Sequence, residues 1–370
     1  MTRVVVSGTG VVTPFGWGVG ALWSGLCGGR TALAEPRRFR AECWGGEPVG
    51  EVPGATAPAK RAHLEAAVAE ALASAGLPAL PSDALVVLVG QAPADEPPDG
   101  HAAEEWADFV GPAVPEALGG RQVVYLTHAC ASAAFGIGFA REAIRTGLAE
   151  VVLVAGGTAL NRYEYASMRA VRAVGREVAR PFDRGRGGIS LGEGGGAVVV
   201  EAEASARRRG APTDVAVVGA SCGVGTGKAA ASEAGLIEGC VRAAVADAGV
   251  DRLDYVHAHA TGTPQGDREE LAALEAVAAD LGLRNLPVDS HKGAIGHLLH
   301  VSGLPAVATA ALALRTGAAP GTPNLRDPEA TDRLHLPTAP VPLPAGRPTT
   351  ALVTSFGFGS NNAALVLSHG

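Results

Sequence analysis

Cys130 stands where an apolar run stops and small residues follow, in VVYLTHACASAAFGIG (123–138). A free cysteine commonly serves as a small buried hydrophobe, and that role is assigned to Cys27, Cys43, Cys222 and Cys240. Cys130 differs in its place. The pattern predicts that it opens a helix, where the dipole and unpaired N–H groups favour a thiolate and suit a developing oxyanion. Ala129, Ala131 and Ser132 leave room for a substrate. Residue type alone leaves both readings open, a core thiol or a nucleophile.

The second group is histidine. Five of the ten histidines lie in two short motifs, HAHATGT (257–263) and HKGAIGH (291–297), or just after them at His300. His259 is expected to close a strand and enter a glycine-bearing turn. His297 is expected to follow a glycine-rich turn and begin a helix. These two are the functional candidates; His63, His101, His128, His257, His291, His300, His335 and His369 are read as structural. A three-histidine zinc site competes, but no carboxylate or cysteine spacing supports it. Of the 30 Lys and Arg residues only Lys60, Lys228 and Lys292 are lysine. A lysine kept between two histidines points to a need for a compact, movable charge.

Two glycine-rich stretches accompany these motifs. PFDRGRGGISLGEGGG (181–196) lacks phosphate-loop spacing and predicts a tight backbone approach or a hairpin. TSFGFGSNN (354–362) sets Phe356 and Phe358 between glycines and predicts a gating loop.

Elements must carry these residues to one place. Apolar, Val-rich runs recur at 3–6, 84–89, 122–126, 150–155, 196–200, 215–218, 253–258, 286–289, 350–354 and 363–367, the pattern of strands buried on both faces. Ala-rich helical patterns at 61–76, 131–146, 234–248 and 301–316 alternate with them, which indicates an α/β architecture. The two halves also repeat. RVVVSGTG (3–10) matches DVAVVGASCG (214–223), and EAAVAEALASAGL (65–77) matches EGCVRAAVADAGV (238–250). AIRTGLAE (143–150) matches ALRTGAAP (313–320), and GGAVVVE (195–201) matches NNAALVL (361–367). Four matches in the same order predict a duplicated unit, divided as 1–205 and 206–370. The Cys130 segment and DSHKGAIGHLLHVSG (289–303) then occupy equivalent strand–turn–helix positions, and ligands in α/β sheets sit beyond the strands' carboxyl ends.

Composition narrows the class. The 370 residues carry a net charge of −7, which argues against a generic nucleic-acid or membrane-surface binder. No apolar run reaches the roughly 18 residues of a membrane span, and the chain enters a strand pattern at once, so no signal peptide is expected. Five widely spaced cysteines without a CxxC pair support neither zinc nor a disulfide framework. A reducing cytoplasm is expected.

The ordered set of motifs resembles the β-ketoacyl synthases of the thiolase superfamily, in particular the Cys-His-His elongating type found in type II polyketide synthases. The resemblance runs nearly end to end, through VVVSGTGVVTPFG, THACASA, PFDRGRGGISLGEGGG, HATGTPQGD, SHKGAIGH and SFGFGSNNAALVL. It implies a duplicated, five-layered αβαβα fold. It makes Cys130 the acyl-accepting nucleophile, His259 and His297 the histidine pair, and Lys292 the motif lysine. Phe358 matches the gating phenylalanine, beside Phe356, Gly357 and Gly359, and its N–H joins that of Cys130 in an oxyanion hole. Asp267 and Glu270 match acidic residues near the site. The implied reaction is decarboxylative condensation of an acyl-Cys enzyme with malonyl carrier protein. It needs no metal and no redox cofactor, the substrates riding on the phosphopantetheine of an acyl carrier protein.

The resemblance also implies a dimer, homomeric or paired with a chain-length factor, with the strand before the nucleophile near its two-fold axis. HATGT and FGFGSNN depart from the usual HGTGT and FGFGGTN. The segment before Cys130 is short and holds QAPADEPPDGHAAEEW (91–106), which points to specialised polyketide biosynthesis rather than long-chain fatty acid elongation. Acyl transfer or cyclisation without decarboxylation, a chain-length-shaping partner subunit and a Cys-His hydrolase are the rivals. For the carrier, seven arginines against three acids in 162–186 suggest docking at Arg162, Arg169, Arg172 and Arg176.

Overall fold

The computed structural model describes residues 2–39, 44–91, 93, 102–111, 114–226 and 233–370. Cys43, His101, Lys228 and most of the 91–106 segment lie outside the described residues.

Each of the ten apolar runs forms a strand: β1 (Val4–Thr13), β2 (Leu85–Val89), β3 (Gln122–Leu126), β4 (Val151–Thr158), β5 (Gly194–Ala202), β6 (Val215–Val224), β7 (Tyr255–His257), β8 (Leu286–Asp289), β9 (Thr349–Gly357) and β10 (Asn361–His369). β1, β2, β4 and β5 are buried along their whole length, as continuous apolar runs require. From the centre outward the first half runs β1-β5-β4-β2-β3 and the second β6-β10-β9-β7-β8. Pairings match as well: β2 is parallel to β3 and β4, β7 to β8 and β9, and the remaining pairs within each half are antiparallel. The halves join where Val5 of β1 pairs with Ala216 of β6.

Helices α1 (Lys60–Ser74), α2 (Ala103–Phe109), α3 (Ser132–Arg145), α4 (Arg162–Ala170), α5 (Ala234–Ala248), α6 (Pro264–Asp280), α7 (Lys292–Ile295) and α8 (Gly303–Thr316) fill the layers that matter for the site. α1 covers the outer face of the first half-sheet and α5 that of the second. α3 and α8 lie between the two, in contact with strands of both. The order of layers is αβαβα, the thiolase-like architecture. No helix among the described residues is long and apolar enough to cross a membrane.

The repeat has a steric basis. A Cβ on Gly8 would stand 2.2 Å from the carbonyl oxygen of Ala71 and 2.7 Å from the Cβ of Ala75. On Gly219, the matching residue of the second half, it would stand 2.3 Å from the carbonyl oxygen of Ala244 and 2.7 Å from the Cβ of Ala248. Glycine on the strand and alanine on the helix bring α1 and α5 equally close to their half-sheets. The same small residues produce the low aromatic content.

Candidate active site

β3 ends at Leu126, and five residues then turn the chain into α3. Ala129 has φ 47, a left-handed conformation that costs a non-glycine residue about 1–2 kcal/mol. Ser132 closes the turn: its Oγ accepts from the His128 N–H at 2.8 Å and donates to the Ala129 carbonyl at 2.6 Å. His300 lies against the same carbonyl, Nδ1 at 3.1 Å. Cys130 does not open the helix as expected. α3 begins at Ser132, with Ala131 at its N-cap. Nor is the thiol acidified: burial pushes it up to about 12, against the opposing charge of Lys292. A thiolate there loses more solvation than one ammonium returns.

β7 ends at His257, and His259 lies two residues on, in a turn held by acids on the first turns of α6. Glu270 accepts the N–H groups of His259 and Ala260 at 2.9 and 2.7 Å. Asp267 accepts those of Thr261 and Phe182 at 3.0 and 2.9 Å. Thr354 of β9 accepts from the His259 N–H and donates to Glu270 at 2.6 Å. Asp267 and Glu270 are therefore buried turn-holders, and burial raises the pKa of both, Asp267 to about 7. Lys292, buried at the start of α7, donates from Nζ to the His259 carbonyl. Burial lowers its pKa to about 8, opposed by Glu270.

His297 does not begin a helix. It follows Gly296 (φ 77) in the link to α8, with Nδ1 2.8 Å from Ser302 Oγ. Its ring stands 5.5 Å from that of His259, nearly perpendicular at 83°. Burial, reinforced by Lys292, holds both imidazoles well below 6.5. They are neutral N–H donors at pH 7.

A cavity of about 360 Å³ joins these parts. Cys130, His259, His297, Phe356, Gly357 and Phe358 line it, with Asp267, Glu270 and Arg172. The expected gating loop is mostly strand. Phe356 and Gly357 belong to β9, paired with Asn362 and Asn361 of β10, and only Phe358, Gly359 and Ser360 form a turn. Phe356 is buried, 5.6 Å from the His259 ring. A Cβ on Gly357 would come within 2.9 Å of the Cys130 nitrogen. The close approach expected of 181–196 is present: a Cβ on Gly188, also in the cavity wall, would come within 2.5 Å of the Ala173 carbonyl oxygen.

The arginine stretch is more committed than its charge suggests. Arg162 pairs with Glu105 at 2.9 Å and Arg169 with Glu47 at 2.7 Å. Arg172 and Arg176 are exposed, without an ion pair among the described residues. Two of the cysteines read as buried are not: Cys222 is exposed and Cys27 half-buried. His257 and His291 lie in a buried chain, Tyr255 to Asp289 at 2.5 Å, Asp289 to His257 at 2.7 Å and His257 to His291 at 2.7 Å, which ties the ends of β7 and β8 together. Sequence reasoning missed Thr354 and Ser302, single hydroxyls inside TSFGFGSNN and DSHKGAIGHLLHVSG whose partners only the fold brings near. Among the described residues no group of three or more His, Cys, Asp or Glu could hold a metal ion.

Residues 49–206 match the family model "Beta-ketoacyl synthase, N-terminal domain", and residues 198–326 match "Beta-ketoacyl synthase, C-terminal domain". Among curated proteins, the 3-oxoacyl-[acyl-carrier-protein] synthase 2 of Rhizobium meliloti is 38% identical over 65% of this chain and 59% of its own length. The chain thus spans about three fifths of that relative. The tetracenomycin polyketide synthase ketoacyl synthase alpha subunit of Streptomyces glaucescens is 31% identical over 99% of this chain and 97% of its own. Among solved structures, the ishigamide ketosynthase/chain length factor superposes with a TM-score of 0.83 at 27% identity, covering 100% of this chain and 99% of that one. The chain belongs to the β-ketoacyl synthase family.

Proposed function

We propose that the protein catalyses decarboxylative condensation between an acyl group held on Cys130 and a malonyl group held on an acyl carrier protein. The observation that carries this reading is one cavity lined by Cys130, His259, His297 and Phe358 together. Cys130 Sγ attacks the acyl thioester, the carrier's sulfur leaves, and the proton released by the thiol goes to that leaving sulfur. Because burial keeps the resting thiol protonated, proton loss accompanies attack. The N–H groups of Cys130 and Phe358 receive the tetrahedral oxyanion. A malonyl thioester then places its carbonyl oxygen between His259 and His297. Its C–C bond breaks, CO2 departs, and the enolate oxygen accepts from the two neutral imidazoles. The enolate carbon attacks the acyl-Cys130 carbonyl, the C–S bond breaks, and the departing Cys130 thiolate takes up a proton from solvent.

Lys292 holds the His259 backbone and supplies positive charge beside the anions. Phe358 gates the cavity, with Phe356, Gly357 and Gly359 shaping that gate. The substrates ride on phosphopantetheine, and this chemistry needs no metal or redox group. A free nucleophilic thiol suits the reducing cytoplasm, where we place the reaction. We divide the chain into halves 1–205 and 206–370, the first bearing Cys130 and the second the histidine pair. Alignment over nearly the whole chain with a polyketide synthase alpha subunit supports specialised polyketide biosynthesis. A partner of the same fold, identical or a chain-length factor, would cover β3, whose residues Val123–Leu126 are half-exposed at the sheet edge. Intact mass spectrometry with acyl and malonyl carrier substrates, together with CO2 release, tests the reading. An enzyme that acylates Cys130 but never releases CO2 is a non-decarboxylating acyltransferase instead.

A further inference from the structure

His128, two residues before the nucleophile, is tied to the far side of the cavity. Its Nδ1 lies 2.9 Å from Oδ1 of Asn361, and Asn361 Nδ2 donates to the Phe358 carbonyl at 2.6 Å. That carbonyl can only accept, so the amide NH2 must face it and Oδ1 must face His128. His128 Nδ1 therefore carries the hydrogen. The imidazole is itself fixed, stacked on Phe135 of α3 with centroids 4.0 Å apart and planes 11° apart.

The turn it reaches is strained. Gly359 and Ser360 have φ 75 and 54, consecutive left-handed residues that a serine adopts at a cost. On the β9 side the backbone is already pinned, by Gly357 against the Cys130 nitrogen and by Ser355 Oγ donating to the Cys130 carbonyl at 3.1 Å. On the β10 side, Asn361 is the side chain that links the turn to the nucleophile segment.

We infer that His128 and Asn361 form a latch that closes the 358–360 turn onto Cys130. They are positioning residues: they fix the peptide planes around Phe358, and so the spacing between the Phe358 and Cys130 N–H groups. The claim about catalysis rests on the proposed function; the claim about the turn does not. An acyl carrier arm that needs the gate open must break this link, and acylated Cys130 is then sealed when it re-forms.

Two variants isolate the link. His128→Phe keeps a ring on Phe135 and removes the N–H; Asn361→Ala removes the bridge. Amide hydrogen exchange across 356–362 is expected to quicken about tenfold in each, as loss of local closure does, and no further in the double variant, because both break one latch. Cys130 acylation should fall about tenfold more than malonyl decarboxylation, since the affected N–H donors serve the acyl oxyanion. His128→Gln, which retains an amide N–H, should restore most of the rate. Unchanged exchange in both single variants, or additive exchange in the double, overturns the latch. A wild-type protein that forms no acyl-Cys130 overturns the proposed function, and the exchange result still decides the latch.

Discussion

Burial moves Cys130 and Lys292 in opposite directions, the thiol up to about 12 and the ammonium down to about 8. Each is the group whose charge the other would stabilise. Holding the Lys292 pKa at about 8 rather than 10.5 costs roughly 3 kcal/mol of folding stability. That penalty stands in full below pH 8. Between 8 and 10.5 the unfolded chain binds a proton that the folded chain has released, so stability recovers as pH rises. Lys292→Met should therefore be more stable than the wild type at pH 7, with the advantage fading toward pH 10.5 in denaturant unfolding. A constant gap across that range would contradict the assignment. The same variant should alkylate more slowly at Cys130, having lost the charge that favours the thiolate.

At the scale of elements, the β9–β10 hairpin sets the distance between the 358–360 turn and Cys130. Gly357→Ala would push a methyl toward the Cys130 nitrogen, the Ala129 Cβ and the His128 carbonyl, at 2.9, 3.1 and 3.1 Å. Acylation should fall by about 10²-fold, as loss of an oxyanion donor does, with an unchanged circular dichroism spectrum. Normal acylation would show that the two strands move apart freely. Much of this scale was legible in the sequence. The ten strands, four of the five long helices and the internal repeat followed from periodicity, because buried strands must be apolar and close helix–sheet contact demands Gly8 and Gly219; α6, the longest helix, did not. His259, His297 and Cys130 converge because turns at strand ends place them there. What the sequence hid depends on tertiary placement. Nothing local shows that Asn361 reaches His128, or that Asp289 pairs with His257. The acidity expected of Cys130 failed because α3 starts two residues later, at Ser132, and because the desolvation around the thiol cannot be read from the sequence. The loop expected at 354–362 proved to be mostly strand, because pairing with β10 overrides the flexibility that its glycines suggest.

At the scale of the molecule, the duplicated fold brings two different chemistries to one cavity. The first half presents Cys130 just past β3; the second presents His259 just past β7 and His297 in the link between α7 and α8. Arg172, in the cavity wall, and Arg176 are exposed on an otherwise acidic protein. Arg172→Glu with Arg176→Glu should slow carrier association and flatten its salt dependence, whereas Arg169 serves Glu47 and makes a poor test. An unchanged rate at low salt would remove this docking face. The division of labour between the halves is tested most directly by measuring acyl-enzyme formation and malonyl-carrier decarboxylation on the same variants. Cys130→Ala should form no acyl-enzyme and no condensation product, yet still release CO2. His259→Ala with His297→Ala should still acylate Cys130, while decarboxylation falls by about 10²–10³ per donor lost. Condensation by the Cys130→Ala protein, or undiminished CO2 release by the double histidine variant, would contradict the account.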